Sequence, residues 1–211
     1  RAHLIAELMG RYSDIILTDE DDKIIGALKI IDFSDSKIRQ IMPGLRYTVP
    51  PLQAMTADAS AVLGPAEGTR YKLNPLEAER DVFISLREQS ELPDDKFIMA
   101  YYYGISGVVA REIAHRARGG GAERLWEVFS GIVVDIIKGR VAPYAVKKES
   151  GEQVEYSFLP LTHYGEPYKV VEYPSFGEMM DAFFAERDMA ERYRQRAADL
   201  HRIISSAEAR L

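Results

Sequence analysis

Apolar residues in the first quarter of the chain fall into short clusters that predict β-strands. The segments Leu4–Met9, Ser13–Thr18 and Lys23–Ile31 are rich in isoleucine and leucine, and the acidic stretch DEDD separates the second from the third. Their spacing predicts a three-stranded meander covered on at least one face. We expect a β domain over residues 1–53 and a connecting segment over 54–73, where the pattern weakens.

The apolar spacing then changes to that of helices. Asn74 can cap a helix that the following proline opens. The stretch Lys96–Arg118, KFIMAYYYGISGVVAREIAHRAR, predicts two helices joined by a tight turn. Gly104 supplies the permissive backbone of this turn, and Ser106 is a good cap for the second helix. We therefore expect a helical hairpin module over residues 74–139.

The last part of the chain returns to strands and ends in a helix. Residues 140–173 predict a β-hairpin that packs back on the first sheet. Ser175 and Glu178 form a capping box, and residues 174–211 then predict the first part of a coiled coil. Its apolar seam has steps of three and four: Ala190, Tyr193, Ala197, Leu200, Ile204, Ala207 and Leu211.

Composition narrows the possible functions. The chain has 211 residues, no cysteine, four scattered histidines and a net charge of −6. The length is sufficient for a hydrophobic core. The absence of cysteine and the scatter of the histidines give no basis for a disulfide or a metal site, and we expect no cofactor. The acidic balance does not favour indiscriminate nucleic-acid binding, so any RNA contact must come from local basic patches. No apolar run is long enough to cross a membrane.

Sequence motifs of catalysis are absent. There is no Walker loop, dinucleotide fingerprint, nucleophile elbow, HExxH or CxxC. Acidic pairs such as Asp94 with Asp95 fall on exposed helical turns, where solvated faces explain them better than acid–base roles do. We therefore expect a protein that is not an enzyme. The chain lacks an initiator methionine and starts inside a predicted strand, which favours a piece of a longer protein.

The turn between the two hairpin helices is a candidate phosphate site. Ser106 and Gly107 place the backbone N–H groups of a helix N-terminus outward, and Arg111 adds a positive charge on the same helix. The alternative interpretation is a purely structural corner between two helices. Both interpretations fit the residues.

Several blocks in this order resemble the NFACT family, whose RqcH-like and NEMF-like members include proteins named fibronectin-binding protein A. The blocks are ELMGRYSDIILTDEDDKIIGALK, IRQIMPGLRYTVPP, YYYGISGVVAREIAHRA, YSFLPLTHYG and FAERDMAERYRQRAADLHRIISSAEARL. Together they span nearly the whole chain. The chain departs from the family pattern at Tyr12, at Asp14 and at Gly107, where the family usually has proline.

The resemblance implies a cytoplasmic ribosome quality-control factor. Such proteins bind a large ribosomal subunit obstructed by peptidyl-tRNA. They recruit charged tRNA, alanyl-tRNA in bacteria, so that a C-terminal tail is added without mRNA. The implied α+β fold has a glycosylase-like β domain, a helix-hairpin-helix module and a long coiled coil. An Asp–Arg pair that the family uses for tRNA is expected upstream of Arg1.

Within the β domain, the resemblance directs attention to RNA-binding candidates. Glu7, Met9 and Arg11 lie at a strand end that opens into a turn, and Arg39 and Arg46 flank a Pro-Gly turn. The alternative is that the apolar neighbours are core and the arginines are simply solvated.

Two further functions are consistent with the resemblance or the fold. The name fibronectin-binding protein implies a surface adhesin that binds fibronectin. The glycosylase-like fold implies a DNA glycosylase or lyase, a chemistry that needs a nucleophilic amine at the start of the chain and commonly a zinc finger. The absence of cysteine counts against the zinc finger.

Overall fold

The computed structural model describes residues 1–8, 12–55 and 71–208. These residues form two compact units, Arg1–Leu52 and Gln53–Leu211. The first unit contains a three-stranded sheet, and the second combines helices with another three-stranded sheet. The predicted α+β class is confirmed. Most of the predicted connecting segment lies outside the described residues.

The first unit is built on the predicted meander. Its strands are β1 (Ala2–Glu7), β2 (Asp14–Asp19) and β3 (Ile24–Ala27), and they pair antiparallel in sequence order. Alternate residues of β2 are buried, so one face of this sheet packs on the core of the unit. That core contains Ile16, Ile24 and Ile41.

The acidic turn between β2 and β3 is held by its own carboxylate. Asp19 Oδ1 accepts hydrogen bonds from the backbone N–H groups of Asp21, at 3.0 Å, and of Lys23, at 2.8 Å. Asp22 adopts a positive φ of 63°, a conformation that aspartate tolerates better than most residues. The acidic cluster therefore has a local structural use.

The second unit begins with a short 3₁₀ turn that the predicted cap stabilises. Asn74 Oδ1 accepts from the backbone N–H of Leu76 at 3.1 Å. Four α-helices follow: α1 (Arg80–Gln89), α2 (Asp94–Tyr101), α3 (Gly107–Ala117) and α4 (Gly121–Ile137). Helices therefore fill most of residues 74–139, and their identity as a helix-hairpin-helix module stays a prediction.

Aromatic rings form the centre of the helical core. The ring of Phe83 lies 5.2 Å from that of Phe97, 5.7 Å from Tyr102, 5.3 Å from Trp126 and 4.9 Å from Phe129. The edge-on and tilted arrangements are those that aromatic pairs prefer. The sole tryptophan is part of this cluster and not an exposed stacking platform.

The second sheet is separate from the first. It consists of β4 (Tyr144–Lys147), β5 (Gln153–Ser157) and β6 (Lys169–Glu172) in the order β5-β4-β6. The strands of residues 140–173 thus form a sheet of their own, and the packing of this region on the first sheet stays a prediction. The sequence did not reveal β6, because all four of its residues are exposed and the strand lacks apolar alternation.

The last element is the predicted long helix, α5 (Phe176–Glu208). Its cap is present, because Ser175 Oγ accepts from the backbone N–H of Glu178 at 3.2 Å. Near its start, Met179 and Phe183 are buried, and the Phe183 ring lies 4.7 Å from that of Tyr156 on β5. Pairing of this helix in a coiled coil stays a prediction.

Truncation of the Phe83 side chain should lower the stability of the second unit more than truncation of a neighbouring surface side chain does. Phe83→Ala removes a fully buried ring, and we expect a loss of about 3–5 kcal/mol in the free energy of unfolding. Urea unfolding followed by Trp126 fluorescence measures it, since the two rings are in contact. The matched control Val82→Ala, at a side chain that is 45% exposed, should change stability by about 0.5 kcal/mol or less. Equal losses in both variants would contradict this core.

Candidate nucleic-acid interfaces

In the first unit, two of the predicted site residues bind each other. Arg39 donates two hydrogen bonds to the Glu7 carboxylate, one of them from Nη1 to Oε2 at 3.0 Å. Tyr47 Oη donates to Glu7 Oε1 at 3.0 Å, and Arg39 Nε donates to the Thr48 carbonyl at 2.7 Å. The side chains of Arg39 and Glu7 are only 11% and 4% exposed. Both groups are therefore engaged within the unit.

This ion pair fixes the end of β1. Glu7 is the last residue of β1, and Arg39 and Tyr47 come from the segment that follows the meander. A bidentate arginine–carboxylate pair sets orientation as well as distance. Consequently, Glu7 and Arg39 hold the end of β1 against the segment that follows the meander.

The other candidates of this unit differ in exposure. Met9 and Arg11 lie outside the described residues, but the side chains that flank them, Leu8 and Tyr12, are 88% and 57% exposed. The Arg46 side chain is 77% exposed and lies 3.8 Å from the Asp22 carboxylate. An exposed pair of this kind contributes little stability. Arg46 is therefore free to exchange its carboxylate for a phosphate.

In the second unit, the structure brings Ser106, Gly107 and Arg111 together. Gly104 has a φ of 75°, which lets the chain reverse between α2 and α3. Ser106 is exposed, and its Oγ accepts from the Val109 N–H at 3.4 Å, so the predicted cap is confirmed. Arg111 Nη1 lies 3.6 Å from the point that a Gly107 Cβ would occupy. Phosphate binding at this turn stays a prediction.

An apolar groove borders the same turn. It has a volume of about 500 Å³ and lies between the 3₁₀ turn, the α2–α3 connection and helices α3 and α4. Most of its lining is hydrophobic, including Ile105, Val109, Phe129 and Ile136. Such a surface offers few donors to a phosphate, so an anion at this turn must bind on the Arg111 side of the Ser106 cap.

A buried carboxylate that the sequence did not single out organises the opposite end of α3. Glu112 is completely buried, and its Oε1 accepts from Arg116 Nε and from Thr162 Oγ1, each at 2.7 Å. Its Oε2 accepts from the His163 backbone N–H at 2.9 Å and lies 2.8 Å from His163 Nδ1. Arg116 also donates to the Pro160 carbonyl at 2.7 Å. These bonds attach the loop of residues 160–164 to the helix.

The network keeps the buried carboxylate ionised. Burial alone raises the pKa of Glu112, but hydrogen bonds from Thr162, Arg116 and His163 outweigh it and lower the pKa from 4.5 to about 2. Two sequence signals were available in hindsight. Glu112 and Arg116 have the spacing of a helical ion pair, and Thr162 and His163 interrupt an apolar run.

Comparison with known proteins decides the family. The family model for "NFACT N-terminal and middle domains" matches residues 1–62 and 66–211. This chain belongs to the NFACT family. The predicted family assignment is thereby confirmed, and it covers both units of the structure.

Two similar NFACT relatives carry the same name. The chain is 30% identical over 203 residues to the Rqc2 homolog RqcH of Bacillus subtilis (strain 168), which is 95% of this chain and 32% of that protein. It is 24% identical over 208 residues to the Rqc2 homolog RqcH of Streptococcus suis, which is 98% of this chain and 31% of that protein. The chain thus spans about a third of the length of these relatives.

Solved structures show that the fold is shared. The fibrinogen binding protein from Staphylococcus aureus gives a TM-score of 0.62 at 24% identity, over 87% of this chain and 59% of that chain. The N-terminal part of the fibronectin/fibrinogen-binding protein from Streptococcus suis gives 0.58 at 22% identity, over 88% and 57%. At this level of identity the likeness establishes a common NFACT fold and nothing about ligands.

The Glu112 network should be visible as a pH-dependent contribution to stability. Glu112→Gln removes the charge that faces Arg116, and we expect a loss of about 3 kcal/mol at about pH 7. Because the folded pKa of Glu112 lies below its unfolded value, this stabilisation is complete above about pH 5 and disappears as the pH falls to about 2. Urea unfolding at several pH values measures the difference between variant and parent.

The control for this experiment is an exposed carboxylate on the neighbouring helix. Glu127 pairs with Arg124 at 2.8 Å, but its side chain is 62% exposed, so Glu127→Gln should cost about 0.5 kcal/mol or less. If the deficit of Glu112→Gln were the same at about pH 3 as at about pH 7, Glu112 would not be held as a low-pKa carboxylate.

Proposed function

We propose that this chain is the RNA-binding core of a ribosome quality-control factor. The protein would bind a large ribosomal subunit obstructed by peptidyl-tRNA, recruit charged tRNA, and support the addition of a C-terminal tail without mRNA, an alanine tail in bacteria. The observation that carries this proposal is the 30% identity to an Rqc2 homolog RqcH over 95% of the chain. Because the similarity extends over nearly the whole chain, it favours a shared functional part of the protein over a single shared motif.

In this proposal the chain acts as a scaffold and performs no chemistry. The described candidate residues are arginines, a capping serine and a glycine at the surface, with Glu7 holding one of the arginines from within the unit. Arginine is suited to phosphate recognition because its planar guanidinium presents several donors. Exposed groups of this kind bind and orient an RNA, and a scaffold that acts only in this way would need no cofactor.

Within the first unit the candidates divide into contact and positioning residues. Arg46 is exposed and weakly paired, so it would contact a tRNA phosphate, and we propose the same role for Arg11. Glu7 and Arg39 are buried together and would act by holding the end of β1 in place. The two roles have different signatures in the salt dependence of binding.

Arg46→Ala should weaken tRNA binding through the loss of a charge contact. We expect the affinity to fall about three- to tenfold and the slope of log K against log salt to decrease by about one. Arg39→Lys keeps the charge but loses the bidentate geometry, so it should lower stability and affinity without changing that slope. Filter-binding titrations at several salt concentrations measure both the affinity and the slope.

The control for this experiment is Arg140→Ala, because Arg140 is an exposed arginine paired with Asp135. A slope unchanged in Arg46→Ala would contradict the contact role.

Fibronectin or fibrinogen binding at the cell surface is the second candidate function. It is favoured by the names of the solved structures with the same fold. The two candidates place the protein in different compartments, since a quality-control factor works in the cytoplasm and an adhesin outside the cell. Among the residues that the structure describes, no helix has both the length and the apolar character required to cross a bilayer.

Sedimentation of the full-length protein separates the two functions. We expect it to co-migrate with large ribosomal subunits that carry peptidyl-tRNA, and to do so less with empty large subunits, because the peptidyl-tRNA supplies part of the binding surface. The same preparation is tested on immobilised fibronectin and fibrinogen. Retention on these proteins without any co-migration with subunits would contradict the proposed function and favour the adhesin.

A further inference from the structure

Two arginines, one in α3 and one at its C-cap, differ from the other described arginines of the folded core. The two are Arg111 and Arg118. The other described arginines from residue 39 to residue 140 each have a carboxylate within salt-bridge distance: Arg39, Arg46, Arg80, Arg87, Arg116, Arg124 and Arg140. Within the described part of the chain, Arg111 and Arg118 pair with no carboxylate, and both are exposed. In a protein of net charge −6, two uncompensated guanidinium groups on one short helix and its C-cap form a local cationic site.

Arg111 and His115 lie on one face of α3, and Arg118, the C-cap residue of this helix, follows them. Residues at a spacing of four share a helical face. Arg118 Nη2 lies 2.7 Å from His115 Nδ1, so Arg111, His115 and Arg118 form a stripe. Because both guanidinium groups carry positive charge, the stripe favours an anionic partner.

Aromatic rings continue this stripe across the neighbouring loop. The rings of His115 and His163 are 6.5 Å apart, those of His163 and Tyr164 are 4.6 Å apart, and those of Tyr164 and Tyr168 are 5.4 Å apart. His115, Tyr164 and Tyr168 are half-buried, and the His163 side chain is 12% exposed, so each ring is fixed by packing while one part remains accessible. A row of fixed rings beside cations is the combination that unpaired nucleic acids use for stacking and backbone contact.

The loop that carries these rings is held by groups already described. Glu112 accepts from the His163 backbone N–H and lies 2.8 Å from Nδ1 of its ring, so Nε2 faces away from the buried carboxylate. Burial and the Glu155 carboxylate raise the pKa of Tyr164, whereas the Arg111 guanidinium beside it acts in the opposite direction. Arg111 therefore lies next to the ring row, and one acidic side chain, Glu155, faces it as well.

We propose that this surface, the basic–aromatic face, binds unpaired RNA. Its residues are Arg111, His115, Arg118, His163, Tyr164 and Tyr168. The guanidinium groups would contact phosphates, and the rings would stack on exposed bases. The proposal deepens the RNA-binding function proposed above and rests on it. An acidic peptide would use the charges but not the rings, so the aromatic row favours RNA.

The test is a fluorescence anisotropy titration of the full-length protein with a labelled, unstructured RNA oligonucleotide. Arg118→Ala should weaken binding about three- to tenfold and lower the salt slope by about 0.7, the value for one phosphate contact on a single strand. Arg118 is exposed at the end of α3, so its replacement leaves the core intact. Arg140→Ala, an exposed arginine paired with Asp135, is the matched control and should change the affinity about twofold or less.

The contribution of the rings needs a second variant. Tyr168→Leu keeps an apolar side chain in place but removes the ring, and it should weaken binding to unpaired RNA about fivefold or more. The same variant should bind poly-glutamate as the parent does, because a carboxylate chain does not stack. Urea unfolding followed by Trp126 fluorescence verifies that the variant is folded.

Several outcomes would overturn the proposal. They are tighter or equal binding of a duplex RNA, equal competition by poly-glutamate, and an Arg118→Ala variant that behaves like Arg140→Ala. If these occur while Arg46→Ala still weakens tRNA binding, the face is not an RNA site and the proposed function stands. If the parent protein binds neither tRNA nor the large subunit, the proposed function itself fails.

Discussion

The buried carboxylate of Glu112 is the interaction on which the architecture of the second unit depends. It accepts hydrogen bonds from α3 itself and from the loop of residues 160–164, and its low pKa keeps it charged. A buried charge with one partner removed is strongly destabilising, so the helix and the loop stay together. Because this loop carries His163 and Tyr164, the same carboxylate also fixes the rings beside Arg111 and Arg118. The stability of the second unit and the arrangement of the candidate RNA surface therefore both depend on the hydrogen bonds of Glu112.

Under the proposed function, the arrangement of charges would give an acidic protein a selective way to bind RNA. Most described arginines of the core are neutralised by nearby carboxylates, and a paired arginine such as Arg39 is a structural element. The uncompensated or weakly paired ones, Arg46, Arg111 and Arg118, lie at the surface. With a net charge of −6, the chain as a whole does not attract polyanions, so binding would be limited to ligands that fit these local sites. This fits a factor that has to distinguish one RNA assembly from another.

Most of the secondary structure could be predicted from rules that act over a few neighbouring residues. The strands of the meander, the caps at Asn74, Ser106 and Ser175, and the long last helix followed from periodicity and capping chemistry, which act over a few residues. Interactions between distant segments were not predictable. Strand β6 has no apolar alternation, so the sequence pattern does not predict its pairing with β4. Two partners of Glu112, Thr162 and His163, are about 50 residues away, and the burial of Arg39 against Glu7 depends on the tertiary fold. The family resemblance supplied the functional direction that the residues alone did not.

Hydrogen exchange at a single amide tests the central role of Glu112 most directly. The backbone N–H of His163 lies in a loop, and among the described residues its acceptor is Glu112 Oε2, at 2.9 Å. If the carboxylate holds this loop on α3, the His163 amide should exchange as slowly as the amides of the buried part of α3 and become fast in Glu112→Gln. Rapid exchange of this amide in the parent protein, at the rate of an exposed loop, would contradict the role assigned to Glu112.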